Sequence, residues 1–213
     1  MTSFSLPYDK NQIFFELNDK YKADLYIPKL LKPENEAESI LISAIRNPIN
    51  NNETLQMVNE TTSVAITVND KTRPVPNHLI FPPLLNVLKD KGIKKENITI
   101  LIATGTHIPM PNTEHSLLLP EEILREYKVI SHDCDDYSNL EYKGKTNRGT
   151  PVYVNSIFNQ ADLKIVVGNI EPHHFAGFSG GAKSASIGVC GRETINQNHA
   201  LLKDPKSSVG RYE

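Results

Sequence analysis

The chain has 213 residues and a mass of 23.9 kDa, with 38% hydrophobic and 23% charged residues, a composition that supports a buried core and excludes a disordered or fibrous chain. The 23 Lys and Arg against 25 Asp and Glu leave a net charge of -2 and a pI near 6.4, so the chain lacks the positive field that holds a nucleic acid. Two cysteines, Cys134 and Cys190, are too few for a disulfide framework and too far apart for a metal knuckle. With no leader pattern and no apolar run of bilayer length, a cytoplasmic protein without a membrane partner is expected.

In chain order, residues 12–18 roughly alternate polar and apolar side chains and predict one half-exposed antiparallel strand at an edge. Residues 34–45 return Ile40, Leu41, Ala44 and Ile45 at helical spacing, and Asn47-Pro48 stops the run because a residue before proline avoids the α region. A short helix is expected at 53–58. Residues 63–68, 98–103 and 163–168 are β-branched runs, apolar on both faces, and read as buried parallel strands. Between the first two, residues 77–90 place Leu79, Ile80, Leu84, Leu85 and Leu88 on one stripe before Gly92, with Pro82-Pro83 expected to open the regular part of the helix. Further helices are expected at 121–127, 156–161 and 192–202, and strands at 128–132 and 151–154. This alternation predicts an α/β fold: a doubly wound, Rossmann-like, mostly parallel sheet with helices on both faces, in a single domain over residues 1–213. Residues 204–213 are polar and turn-like, and the expectation is a fragment of a longer two-domain protein.

Open parallel sheets bind ligands beyond the carboxyl ends of their strands. The three buried runs are followed by Asn69-Asp70-Lys71-Thr72-Arg73-Pro74, by Thr104-Gly105-Thr106-His107 and by Glu171-Pro172-His173-His174. An Arg fork in that position suits a carboxylate or phosphate and Asp70 suits a ribose hydroxyl, whereas the ordinary reading of Asp70 and Arg73 is a loop ion pair with Asp70 capping the turn. His107 and His173 would form a two-base site if they met at one cleft; singly, each is more ordinarily a ring hydrogen-bonded within its loop. His174 is expected to point away from His173, because neighbours on an extended chain alternate.

Residues 177–184, Gly-Phe-Ser-Gly-Gly-Ala-Lys-Ser, nearly match a phosphate-binding loop. In that reading the backbone at Gly180 and Gly181 approaches an anion and Lys183 adds a charge, although Ala182 stands where that motif has glycine. A desolvated lysine also holds cofactors covalently. His199 is by default a surface ring, and its imidazole is also a borderline ligand for nickel or zinc.

Together, residues 70–76, Ala103-Thr104-Gly105-Thr106-His107, residues 171–184, Glu193-Thr194-Ile195 and Asn198-His199 resemble the N-terminal domain of the lactate racemase family, the nickel-pincer nucleotide enzymes, over nearly the whole chain. The resemblance implies a Ni(II)-pyridinium-3,5-bisthiocarboxylic acid mononucleotide, with the protein imidazole on nickel matched by His199. Lys183 matches the lysine that carries this cofactor through a thioamide link. Asp70, Lys71, Thr72 and Arg73 match the segment that contacts the nucleotide, with Gly180 and Gly181 beside it, and His107 and His173 match the two catalytic bases. It further implies racemisation or epimerisation of a small 2-hydroxy acid through hydride transfer, a C-terminal domain that closes the cleft, and cofactor-synthesis proteins as partners. Ile108, where relatives often carry Arg, and Ile187-Gly188, where many carry Pro-Gly, depart from the pattern. The residues read alone leave two alternatives, a P-loop-like hydrolase or kinase and a non-catalytic nucleotide-binding module. The isolated chain is expected to be inactive, since one wall of a cleft does not exclude water.

Overall fold

The computed structural model describes residues 1–27, 37–50 and 53–211. The chain divides into two compact units, Met1–Asn35 and Glu36–Glu213. In the first, β1 (Thr2–Tyr8) and β2 (Asn11–Leu17) form an antiparallel hairpin with Thr2 opposite Leu17 and Tyr8 opposite Asn11. Phe4 and Phe15 face each other across it with ring centroids 5.7 Å apart. The strand expected at 12–18 is therefore present one residue early, paired in its own hairpin and not at an edge of a larger sheet. Its partner β1 escapes sequence reading because Pro7 removes a ladder donor and the Asp9-Lys10 turn lacks glycine, Asp9 itself taking φ 51°.

The second unit opens with α1 (Ala37–Arg46) and α2 (Thr54–Met57); residues 34–36 of the expected first helix lie outside the described residues. There follow β3 (Val64–Asn69), α3 (Asn77–Asp90), β4 (Ile98–Ala103), α4 (Glu121–Glu126) and β5 (Lys128–Ser131), then β6 (Leu140–Lys145), β7 (Pro151–Asn155), α5 (Ser156–Gln160) and β8 (Leu163–Val166). Last come β9 (Pro172–His173), β10 (Gly177–Phe178), α6 (Ala182–Ser186) and α7 (Arg192–His199). The helix expected over 192–202 tightens to a 3-10 turn at Ala200–Lys203. No helix among the described residues is long and apolar enough to cross a membrane.

The core sheet is parallel, in the order β5-β4-β3-β8. β3 is paired on both sides, Val64 lying opposite Ile98 and Leu163, and its residues Val64 to Val68 are buried on both faces. Ile66 and Val68 point into a cluster with Phe81, Leu84, Leu85 and Leu88 of α3; Ala65 packs on the opposite face with Leu101, Phe158, Ala161 and Val189. Two covered faces account for runs apolar at every position. Burial of a side chain such as Phe81 contributes roughly 1.5–3 kcal/mol.

α3 begins at Asn77, so Pro82 and Pro83 lie inside it and do not mark its start. Their missing N–H groups would have served the carbonyls of His78 and Leu79, both on the exposed side of the first turn where water can replace them. β6 and β7 form a separate antiparallel pair; β6 went unread because Gly144 and three charged residues break its pattern.

The connections set the site. The chain steps from β3 to β4 to β5 in one direction and later returns with β8 on the far side of β3. The strand order reverses there, so the loops leaving β3 and β8 diverge and open a crevice at their carboxyl ends.

Candidate functional site

The loop after β3 is an Asp-anchored turn. Asp70 is 4% exposed; its Oδ1 accepts from the Thr72 backbone N–H at 3.0 Å and from the Thr72 hydroxyl at 2.6 Å, and its carbonyl accepts from Arg73 N–H at 3.1 Å. Its other carboxylate oxygen, Oδ2, lies 2.6 Å from Nδ1 of His107. His107 reaches it from the loop after β4, where buried Thr104 donates its hydroxyl to the His132 carbonyl at 2.6 Å and Gly105 N–H bonds the Gly188 carbonyl at 3.0 Å.

β9 and β10 pair with His173 opposite Gly177, and residues 174–176 turn between them. Extended backbone ends at His173, so the alternation expected of His174 does not apply: the two imidazoles stack with centroids 4.4 Å apart, inclined by 20°. Phe175 meets both rings edge-on at 4.7 Å and meets His199 at 5.3 Å. α7 is fixed at its other end, where the Arg192 guanidinium makes two hydrogen bonds to Asp135, Thr194 accepts from Tyr153 N–H, and Ile195 is fully buried. That anchoring leaves His199, in the last turn, against Phe175.

Gly180 carries φ 77°, and a Cβ there would sit 2.3 Å from the Asn169 carbonyl oxygen, so only glycine permits this approach of the loop to the end of β8. Lys183 follows on α6 with its Nζ 5.9 Å from the centroid of the Phe175 ring.

One cleft of about 270 Å³ is lined by Asp70, Arg73, His107, His173, Gly180, Lys183 and His199, together with His174 and Phe175. Three of the residues singled out from sequence are not in its wall. Lys71 turns to Glu114 at 2.6 Å, Thr72 is spent on Asp70, and Gly181 is exposed. Asn69 and Asn169, hydrogen-bonded to each other at 3.0 Å on the cleft floor, and Phe175 were missed. The signal that would have found the two asparagines is position alone, each lying just beyond a buried strand. A larger groove of about 790 Å³ lies between β7, α5, α6 and α7, and no His, Asp or Glu lines it.

The cleft is electropositive and partly dry. Burial, with Lys183, His174, Arg73 and His199 nearby, holds the His173 imidazole down at about 4. Burial, followed by Lys183, lowers His199, and burial, followed by Arg73, lowers the Lys183 amine, with Glu171 opposing. Arg73 is held only loosely, its Nη1 being 4.0 Å from Glu171 with both side chains about half exposed.

Four amides of the loop at 177–184 are engaged within the protein. The amides of Phe178, Ser179, Lys183 and Ser184 bond the carbonyls of Ala176, Glu171, Gly180 and Gly181. Among the described residues, the only three close-lying His, Cys, Asp or Glu ligand atoms belong to Asp133, Cys134 and Asp135, where Asp135 already serves Arg192. His199 thus completes a metal site only if a bound group brings the other ligands.

The family described as lactate racemase N-terminal domain matches residues 8–210. The lactate racemase of Thermoanaerobacterium thermosaccharolyticum is 32% identical over 217 residues, covering 100% of this chain and 51% of that protein. The lactate racemase of Lactiplantibacillus plantarum is 32% identical over 214 residues, covering 99% and 50%. The solved lactate racemase apoprotein from T. thermosaccharolyticum superposes with a TM-score of 0.84 at 30% identity, over 98% of this chain and 49% of that one. The chain spans about half the length of the curated relatives it matches. A mixed α/β unit with a four-stranded parallel sheet and a histidine-lined cleft at its switch point, matched over its length by these proteins, belongs to the lactate racemase N-terminal domain family.

Proposed function

We propose that this chain is the cofactor-binding half of a lactate racemase-like isomerase that interconverts the enantiomers of a small 2-hydroxy acid. The observation that carries the reading is the convergence of His107 and His173, from different strand ends, on one cleft with Lys183 and His199.

The donor set fits a nickel-pincer nucleotide. Such a group brings a carbon and two sulfurs to its metal and needs one protein imidazole, and His199 is a single, largely uncharged imidazole at neutral pH. Lys183, partly buried and with its amine easier to deprotonate than usual, is suited to a covalent link. When bound, the nucleotide would supply an electrophilic carbon that accepts the α-hydrogen of a 2-hydroxy acid as hydride.

The chain's own residues do the rest. Arg73 clamps an anionic group with its guanidinium fork. His107 takes the hydroxyl proton of one enantiomer and His173 serves the hydroxyl of the other. Phe175 packs its ring against His173 and His199 and under the Lys183 amine, an apolar surface shared by the three groups. Ala182, standing where a phosphate-binding loop has glycine, weighs against a phosphate-hydrolysing reading.

The test joins this chain to the segment corresponding to the second half of its relatives, produces it beside cofactor-synthesis proteins, and follows L- and D-lactate by chiral chromatography. His107→Gln and His173→Gln are each expected to slow interconversion about 10²–10⁴-fold; full turnover in either variant contradicts the two-histidine reading.

A further inference from the structure

The hydrogen bonds around the two cleft histidines are not equivalent. Nδ1 of His107 faces the Asp70 carboxylate at 2.6 Å; a carboxylate only accepts, so Nδ1 carries the hydrogen and Nε2 keeps its lone pair. Nδ1 of His173 faces the Ala176 backbone N–H at 3.3 Å; an amide N–H only donates, so Nδ1 keeps the lone pair and the hydrogen sits on Nε2. We propose that Asp70 and the Ala176 amide set opposite tautomers, so that the resting cleft offers His107 Nε2 as a proton acceptor and His173 Nε2–H as a hydrogen-bond donor, with Asp70 the positioning residue for His107.

This inference rests on the proposed two-histidine site and refines it. A hydroxyl proton taken by His107 Nε2 makes an imidazolium whose Nδ1–H already points at the Asp70 carboxylate. Nothing else need move, because Asp70 is buried and its second oxygen is held by Thr72. For His173 to accept a proton at Nε2, it must first shift its hydrogen to Nδ1 and give up the Ala176 bond. The enantiomer whose hydroxyl meets His107 therefore finds the resting site ready, and its mirror image does not. This also reassigns Asp70, whose two carboxylate oxygens are engaged inside the protein, away from the ribose contact that the sequence suggested.

Thr72 makes the idea testable by substitution. Its backbone N–H can only donate, so in Asp70→Asn the new side chain must place its oxygen toward Thr72 and its NH₂ toward His107 Nδ1. The experiment is histidine-selective ¹⁵N NMR at neutral pH on the 213-residue chain without cofactor. In the wild type we expect a protonated Nδ1 at His107 and a protonated Nε2 at His173; in Asp70→Asn we expect the His107 pattern to reverse and His173 to stay unchanged. A wild-type His107 protonated on Nε2, or the same tautomer at both rings, overturns the proposal even if the variant does not fold. An unreversed His107 in folded Asp70→Asn removes Asp70's role. Opposite tautomers alongside undiminished lactate interconversion in His107→Gln would support this inference while overturning the assignment of His107 as a base in the proposed function.

Discussion

Burial keeps His173 uncharged at neutral pH, and that has a stability signature. Its folded value of about 4 lies below the ordinary 6.5, so the unfolded chain binds a proton that the native chain refuses. The contribution is fully present above pH 6.5 and is lost as pH falls from there to about 4, amounting to roughly 3 kcal/mol. Urea unfolding at pH 7.5 and 4.5 should show a smaller drop in His173→Gln than in the wild type; equal drops would mean that the ring is solvated. Lys183→Ala should remove any covalently held nucleotide while leaving the chain folded, as intact mass and circular dichroism would report, because Nζ lies over the Phe175 ring and feels the charges of Arg73 and Glu171 without a hydrogen bond among the described residues. At this scale the sequence placed most of the site: strand-end position singles out Asp70, Arg73, His107 and His173. It could not place the partner of Asp70, because whether a carboxylate faces a ligand or a neighbouring loop depends on the distance between the ends of β3 and β4. Nor could it pair His173 with His174, since that turns on where β9 stops.

At the scale of elements, the loop between β10 and α6 is shaped by glycine at one position more than at the next. Gly180→Ala drives a Cβ to 2.3 Å from the Asn169 carbonyl oxygen at φ 77°, whereas Gly181→Ala meets nothing within 4 Å and suffers only its φ of 52°. The first should cost roughly 3 kcal/mol or more and the second, whose φ 52° and ψ −131° are a glycine conformation, roughly 1–3 kcal/mol. Chemical denaturation of the two variants measures this, and equal costs would mean that the loop yields freely at residue 169. Elements with one strong period were legible: α3 spans the expected residues, prolines included, because its apolar stripe faces β3 and outweighs two missing donors. The hairpin strand β1 and the short β6 were not, since Pro7 and Gly144 weaken their local pattern and pairing with a distant partner supplies the rest.

Over the whole molecule, the parallel sheet brings three loops to one edge, while the chain covers about half of its lactate racemase relatives. Its 270 Å³ cleft is small and open beside the usual range for enclosing sites, roughly 300–1,000 Å³. Positioning and exclusion of water supply much of a hydride-transfer rate, and a misplacement of about 1 Å costs roughly 10²-fold. The chain alone should therefore interconvert lactate at least about 10²-fold more slowly than when joined to the second half; equal rates in the chiral assay would show that this unit suffices. The claim beneath all of this is that Lys183 and His199 hold a nickel nucleotide between them. The direct measurement is intact mass together with metal analysis on the chain produced beside cofactor-synthesis proteins. One nucleotide-sized mass increment and about one nickel per chain are expected, with the increment lost in Lys183→Ala and the nickel reduced in His199→Ala. A wild-type chain carrying neither, or the same increment and nickel in both variants, would contradict that claim.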